Sequence, residues 1–156
     1  MKRLYLMRHG HSPSTTESGV AKDALRPLSE KGRAHTRLIA AELTRRGATP
    51  SLILHSPLIR AVQTAAELAA LLKPSGGSVV FAALDNTRPA EEVESAIAAR
   101  AQGHLEVLCV GHQPQIGEVI TLIGKALVEM RPATLVALEM SAAPRILWSL
   151  DPEQLQ

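Results

Sequence analysis

Four short apolar runs, each followed by a stretch with helical spacing, constrain this chain more than any other feature. The runs are Leu4–Met7, Leu52–Leu54, Val79–Phe81 and Leu105–Val110. Each is too short for a helix, is rich in Leu, Ile and Val, and ends in polar or turn-forming residues, so each reads as a buried strand. Between them, Ser29 stands as a helix N-cap before Leu38, Ile39, Glu42 and Leu43, with Gly47 as the stop. Leu58–Leu72, Glu91–Ala101 and Pro114–Ile123 read as further helices, and Leu135–Met140 and Ile146–Leu150 as a closing pair of strands across Ala143-Pro144. Strand–helix alternation ending in a hairpin predicts an α/β fold: a three-layer α/β/α sandwich whose mostly parallel central sheet has helices on both faces. Right-handed crossovers bring the strand C-termini to one edge, where open α/β sheets bind ligands. The stretch His11–Arg26, rich in Ser, Thr, Pro and Gly, is expected to be a long loop beside that edge.

The 156 residues suit a single domain spanning 1–156, with 151–156 expected to fray. Aromatic residues are only 2% of the chain, so the core is expected to consist of Ala, Leu, Val and Ile. A net charge of +2, with Arg dispersed among Asp and Glu, argues against nucleic acid as a partner. The apolar stretch after Met1-Lys2-Arg3 breaks at Arg8-His9, which is too short for a signal peptide, and no run approaches a membrane span. The expectation is a cytoplasmic protein without a membrane partner. Cys109, the single cysteine, lies inside an apolar run and is expected to be a buried small hydrophobe.

Three polar segments follow predicted strands. They are Arg8-His9-Gly10-His11-Ser12, His55-Ser56-Pro57-Leu58-Ile59-Arg60 and Gly111-His112-Gln113-Pro114. Each alone is a pattern that chance produces, and a lone His or Arg is more often structural or solvated. Brought to one edge, they assemble two guanidiniums and at least two imidazoles, a set suited to phosphoryl transfer. Arg offers planar two-pronged donors to phosphate oxygens. Positioned cations stabilise the charge spread over those oxygens in the transition state. A neutral imidazole is a competent nucleophile. Gly10 is expected to let the backbone approach the anion, and Ser12 or Ser56 to add a hydroxyl donor.

These segments resemble the histidine phosphatase superfamily, the phosphoglycerate-mutase-like branch, and within it the small SixA type of phosphohistidine phosphatase. The resemblance spans nearly the whole chain. It rests on Leu6-Met7-Arg8-His9-Gly10, on Arg26-Pro27-Leu28-Ser29 with Gly32, on Ser56-Pro57-Leu58-Ile59-Arg60-Ala61-Val62-Gln63-Thr64-Ala65, and on Val110-Gly111-His112-Gln113-Pro114. It implies that His9 is the nucleophile that becomes phosphorylated. It also implies that Arg8 and Arg60 clamp the phosphoryl oxygens, that His112 donates to the same oxygens, and that neither metal nor cofactor is needed.

The chain departs from larger relatives in two ways. Thr15 stands where many of them carry Asn, and there is no room for the insertion that supplies their acidic proton donor. Glu91 and Glu92 are expected in the first turn of a helix, which leaves Asp85 as the best-placed candidate acid. An alkoxide leaving group needs a positioned acid, whereas phosphohistidine releases an imidazole, a far better leaving group. The expected substrate is therefore phosphohistidine on a partner protein, with a small phosphometabolite as the alternative. His35 and His104 are expected at the surface, and His11 and His55 at the pocket rim.

Overall fold

In the computed structural model, which describes residues 1–156, the strands are β1 (Arg3–Arg8), β2 (Leu52–His55), β3 (Ser78–Val80), β4 (Glu106–Gly111), β5 (Leu135–Glu139) and β6 (Arg145–Leu150). The helices are α1 (Thr15–Ser18), α2 (Glu30–Arg45), α3 (Ile59–Leu72), α4 (Ala90–Arg100) and α5 (Gln115–Gly124). One sheet runs in the order β3-β2-β4-β1-β5-β6; its first four strands are parallel, and β5 and β6 pair antiparallel. The expected α/β/α architecture with a hairpin finish is what forms.

Strand periodicity divides the core into two layers. Leu4 and Leu6 of β1, Leu52 and Leu54 of β2, and Val107 and Cys109 of β4 face one side, where α4 and α5 contribute Val93, Ile97, Ile116, Val119 and Ile120. Tyr5, Met7, Ile53, Leu108 and Val110 face the other, against Ile39 and Leu43 of α2 and Ala61, Ala65 and Leu68 of α3. Both faces of the central strands are covered, which is why those strands are apolar without alternation. Cys109 is fully buried, and burial pushes its thiol well above the ordinary range. No helix is long and apolar enough to cross a membrane.

Three expectations change. The His11–Arg26 stretch is not featureless: Ser14 and Glu17 form a capping box on α1, and Asp23–Leu25 makes a short 3₁₀ turn. The segment 151–156 does not fray. Asp151 caps a 3₁₀ turn over Pro152–Gln154, Pro152 is buried, and Leu155 packs on the α2/α3 layer, so apolar burial holds the end down. His35, expected at the surface, is buried on α2, with the Gln156 amide nitrogen 3.0 Å from its Nε2.

Candidate active site

Sheet register assembles the pocket. Arg8 pairs with Gly111 across β1 and β4, so the next residues, His9 and His112, leave the sheet side by side with ring centroids 5.1 Å apart. His55 pairs with Val110 across β2 and β4, which sets Ser56 beside them; its N–H donates to the Val110 carbonyl at 3.1 Å. The segment from Ser56 to Thr64 then turns into α3 and aims four side chains. Ser56 Oγ lies 2.6 Å from His112 Nε2, and Arg60 Nε donates to His9 Nε2 at 3.3 Å. Thr64, one turn beyond Arg60 on the same face, accepts from the Gly10 N–H at 3.0 Å, and Gln63 accepts from the Leu28 N–H at 2.8 Å. The spacing of that motif is therefore the geometry of one strand end and one helix turn.

Proton positions follow from the partners. His9 Nδ1 sits 2.7 Å from the Gly10 carbonyl, which can only accept. Nδ1 therefore carries the proton, and Nε2 presents its lone pair to the pocket. His9 is 6% exposed. Its pKa falls from 6.5 to about 3, because burial disfavours the cation and His112, Arg60 and Arg8 add like-charge repulsion against the Gly10 hydrogen bond. It is a neutral imidazole near pH 7. His112 is lowered to about 4, first by burial and then by Arg60, with Asp23 and Asp85 pulling the other way. The Leu58 N–H donates to Ser56 Oγ at 3.2 Å. The Ser56 hydroxyl can also donate to His112 Nε2, and in that tautomer the proton of the neutral ring sits on Nδ1. That buried Nδ1, like the buried Nε of Arg8, has no partner in the protein. Unpaired buried donors beside a lone-pair-bearing nitrogen are what an oxyanion would satisfy.

The structure gives several residues tasks other than those expected. Gly10 uses its N–H on Thr64 and its carbonyl on His9, and a Cβ there would stand 2.8 Å from Leu28 Cδ1 and 3.0 Å from the Gly32 carbonyl. The missing side chain at Gly10 admits helix α2. Gly32 is its counterpart: a Cβ there would lie 2.3 Å from the His11 carbonyl. Ser12 donates to the Pro27 carbonyl at 2.6 Å, so its hydroxyl is spent within the loop. His55 is buried with Nδ1 2.9 Å from the Ser56 carbonyl, and His11 pairs with Ser29 Oγ at 2.7 Å. His104 is half-buried against Ser51. Asp85 ends a 3₁₀ turn and accepts from both the backbone and the hydroxyl of Thr87, the bonding of a turn residue, although its charge still reaches His112. Glu91 and Glu92 lie in the first turn of α4. No group of three or more His, Cys, Asp or Glu side chains is placed to hold a metal ion.

Sequence reasoning missed Asp23. Its carbonyl and carboxylate both bind Arg60, at 2.8 Å to Nη1 and 3.0 Å to Nη2. A single Asp in a polar loop carries no signal of its own. The only hint is its place three residues before Arg26, which it also binds.

The two pocket histidines, His9 and His112, have a consequence for stability. Each has a folded-state pKa below its unfolded value, so the unfolded chain binds more protons across the window between the two. Stability is therefore complete above about pH 6.5 and is lost as pH falls toward about 4 and then about 3. Urea unfolding midpoints are expected to drop across this window and to drop less steeply in His9→Asn; equal slopes would contradict the assignment.

The fold and this pocket define an α/β enzyme built for phosphoryl transfer. The model of the histidine phosphatase superfamily (branch 1) matches residues 4–79. A relative described as an uncharacterized protein, from Picosynechococcus sp. (strain ATCC 27264 / PCC 7002 / PR-6), is 36% identical over 126 residues, covering 74% of this chain and 68% of that one. The protein histidine phosphatase SixA complexed with tungstate superposes with a TM-score of 0.89 at 23% identity, over 99% of both chains. A phosphoserine phosphatase from Entamoeba histolytica, in complex with phosphoserine, superposes at 0.75 with 12% identity over the whole of both. The chain belongs to the histidine phosphatase superfamily, with the SixA type of fold, and is a phosphatase.

Proposed function

We propose that this phosphatase hydrolyses phosphohistidine on a partner protein in the cytoplasm, through a phosphoryl group carried on His9. The observation that supports it most is the state of His9: buried, neutral, its proton committed to the Gly10 carbonyl and its Nε2 lone pair facing Arg60. In the first step Nε2 attacks the phosphorus of a phosphohistidine whose other ring nitrogen carries a proton, the N–P bond of the substrate breaks, and the substrate histidine leaves as a neutral imidazole that keeps the electron pair. Arg8, Arg60 and the Nδ1–H of His112 hold the phosphoryl oxygens as charge spreads over them. In the second step water attacks the phospho-His9, the new N–P bond breaks, and inorganic phosphate leaves with His9 restored.

The leaving group favours phosphohistidine. Asp85 is held by Thr87 as a turn residue, and the guanidiniums of Arg26 and Arg60 keep Asp23 ionised, so Asp23 is not set up as a carboxylic acid. An imidazole leaves without a strong general acid; an alkoxide does not.

A panel of substrates tests this. Phosphohistidine proteins and aryl phosphates of acidic phenols are expected to turn over well and sugar phosphates poorly, with a steep dependence on leaving-group pKa. Asp85→Asn is expected to leave the good substrates unchanged. A flat dependence in the wild type, steepened by Asp85→Asn, would make Asp85 the acid and a small phosphometabolite the substrate.

A further inference from the structure

Arg60 is the least free of the candidate groups. Its side chain is 8% exposed, yet it reaches out to Asp23, whose side chain is 62% exposed on the loop between β1 and α2. The guanidinium has five N–H bonds. One points at His9 Nε2, and Asp23 takes one on Nη1 through its carbonyl and one on Nη2 through its carboxylate. Two remain for an incoming oxyanion. Asp23 is itself fixed. Its Oδ1 accepts from Arg26 Nη1 at 3.0 Å, while Arg26 Nε and Nη2 donate to the Pro13 and Ser12 carbonyls at 2.8 and 3.1 Å. The 3₁₀ turn carrying Asp23 packs on α3, the helix that carries Arg60. A chain of charge-assisted bonds thus runs from the loop backbone through Arg26 and Asp23 to Arg60.

We propose that Asp23 is a positioning residue for phosphoryl transfer, gripping the Arg60 guanidinium on two sides so that its Nε stays aimed at the reacting nitrogen of His9. The inference rests on the reading of Arg60 as a phosphoryl clamp. An arginine has a long, flexible stem, and its planar fork aids a transition state only when its orientation is set beforehand. Asp23 sets it with a main-chain and a side-chain acceptor at once, and supplies a counter-charge where Arg8 and Arg60 repel each other. Both carboxylate oxygens are bound by guanidiniums, which keeps Asp23 an anion and rules it out as a proton donor near neutral pH.

The test compares wild type, Asp23→Asn, Asp23→Ala and Arg60→Ala on para-nitrophenyl phosphate, with vanadate as an inhibitor. Asp23→Ala is expected to lower kcat/KM by about tenfold or more, chiefly through kcat, and to weaken vanadate. Asp23→Asn, which keeps the main-chain acceptor and a neutral side-chain oxygen, is expected to fall between. The acid limb of kcat/KM should also move to lower pH in both variants, because without the Asp23 anion the Arg60 charge that lowers both His9 and His112 is left uncompensated; a merely structural loop residue would not move it. Unchanged kinetics would overturn the proposal. So would faster turnover or tighter vanadate in Asp23→Ala, which would make Asp23 a competitor for Arg60. If Asp23→Ala does not fold, Asp23→Asn decides alone by the same criteria. Full activity in Arg60→Ala would instead refute the clamp reading on which the inference rests.

Discussion

Replacing His9 with alanine is expected to remove essentially all turnover, lowering kcat by about 10⁴-fold or more, because no bond to phosphorus can form without the nucleophile. The neighbours cannot substitute. His112 Nε2 is engaged by Ser56 Oγ at 2.6 Å, so it is not free to attack. His55 and His11 are tied to the Ser56 carbonyl and to Ser29. A pulse of labelled substrate should leave acid-labile, base-stable phosphate on the wild type and none on His9→Ala. Wild-type turnover in the variant would show that the phosphoryl group never passes through His9. The variant's folding is checked separately, since His9 fills a buried position between β1 and α3.

Arg60→Ala is expected to cost about 10²–10³-fold in kcat, the loss typical of one preorganised donor to a developing oxyanion. Arg8→Ala should cost more than about tenfold, or about 1.4 kcal/mol of transition-state stabilisation. Arg45→Ala, at the end of α2 with its side chain 69% exposed and paired only with Glu42, should change little. Equal small effects at all three would place the phosphate site elsewhere. Arg60 also predicts a sign. Its charge lowers the pKa of both His9 and His112, after burial in each case. Removing it should move the acid limb of kcat/KM to higher pH, opposite to the shift expected when the Asp23 carboxylate is removed. The two residues touch, so the double variant should lose less than the product of the single losses.

The element pattern was legible because strand and helix periods are local properties. Ser29 caps α2 by accepting from the Gly32 N–H at 3.0 Å, as its position before an apolar 3.6-residue pattern implied. The helix following Pro57 and the hairpin of β5 and β6 were legible for the same reason. What misled was polarity taken as exposure. His35 is polar, but it sits on the buried face of α2, and a chain end with two apolar residues packs over that face. Gly10 and Ser12 have partners within the protein that local sequence does not reveal. One gives way to a helix, and the other closes a turn to Pro27.

By itself, the sequence determined the alternation of strands and helices, the sheet edge where the motifs gather, and the chemical types gathered there: two imidazoles and two guanidiniums. Those follow from residue identity and from periodicities that span only a few positions. The tertiary structure decided the rest. The parallel register of β1 with β4 made His9 and His112 neighbours, and the Gly10 carbonyl chose which nitrogen of His9 keeps the proton. Burial from all sides lowered both imidazoles. Asp23 reached Arg60 across 37 positions of chain. Hydrogen bonding and desolvation depend on distances between segments remote in sequence, and only the packed fold sets those distances.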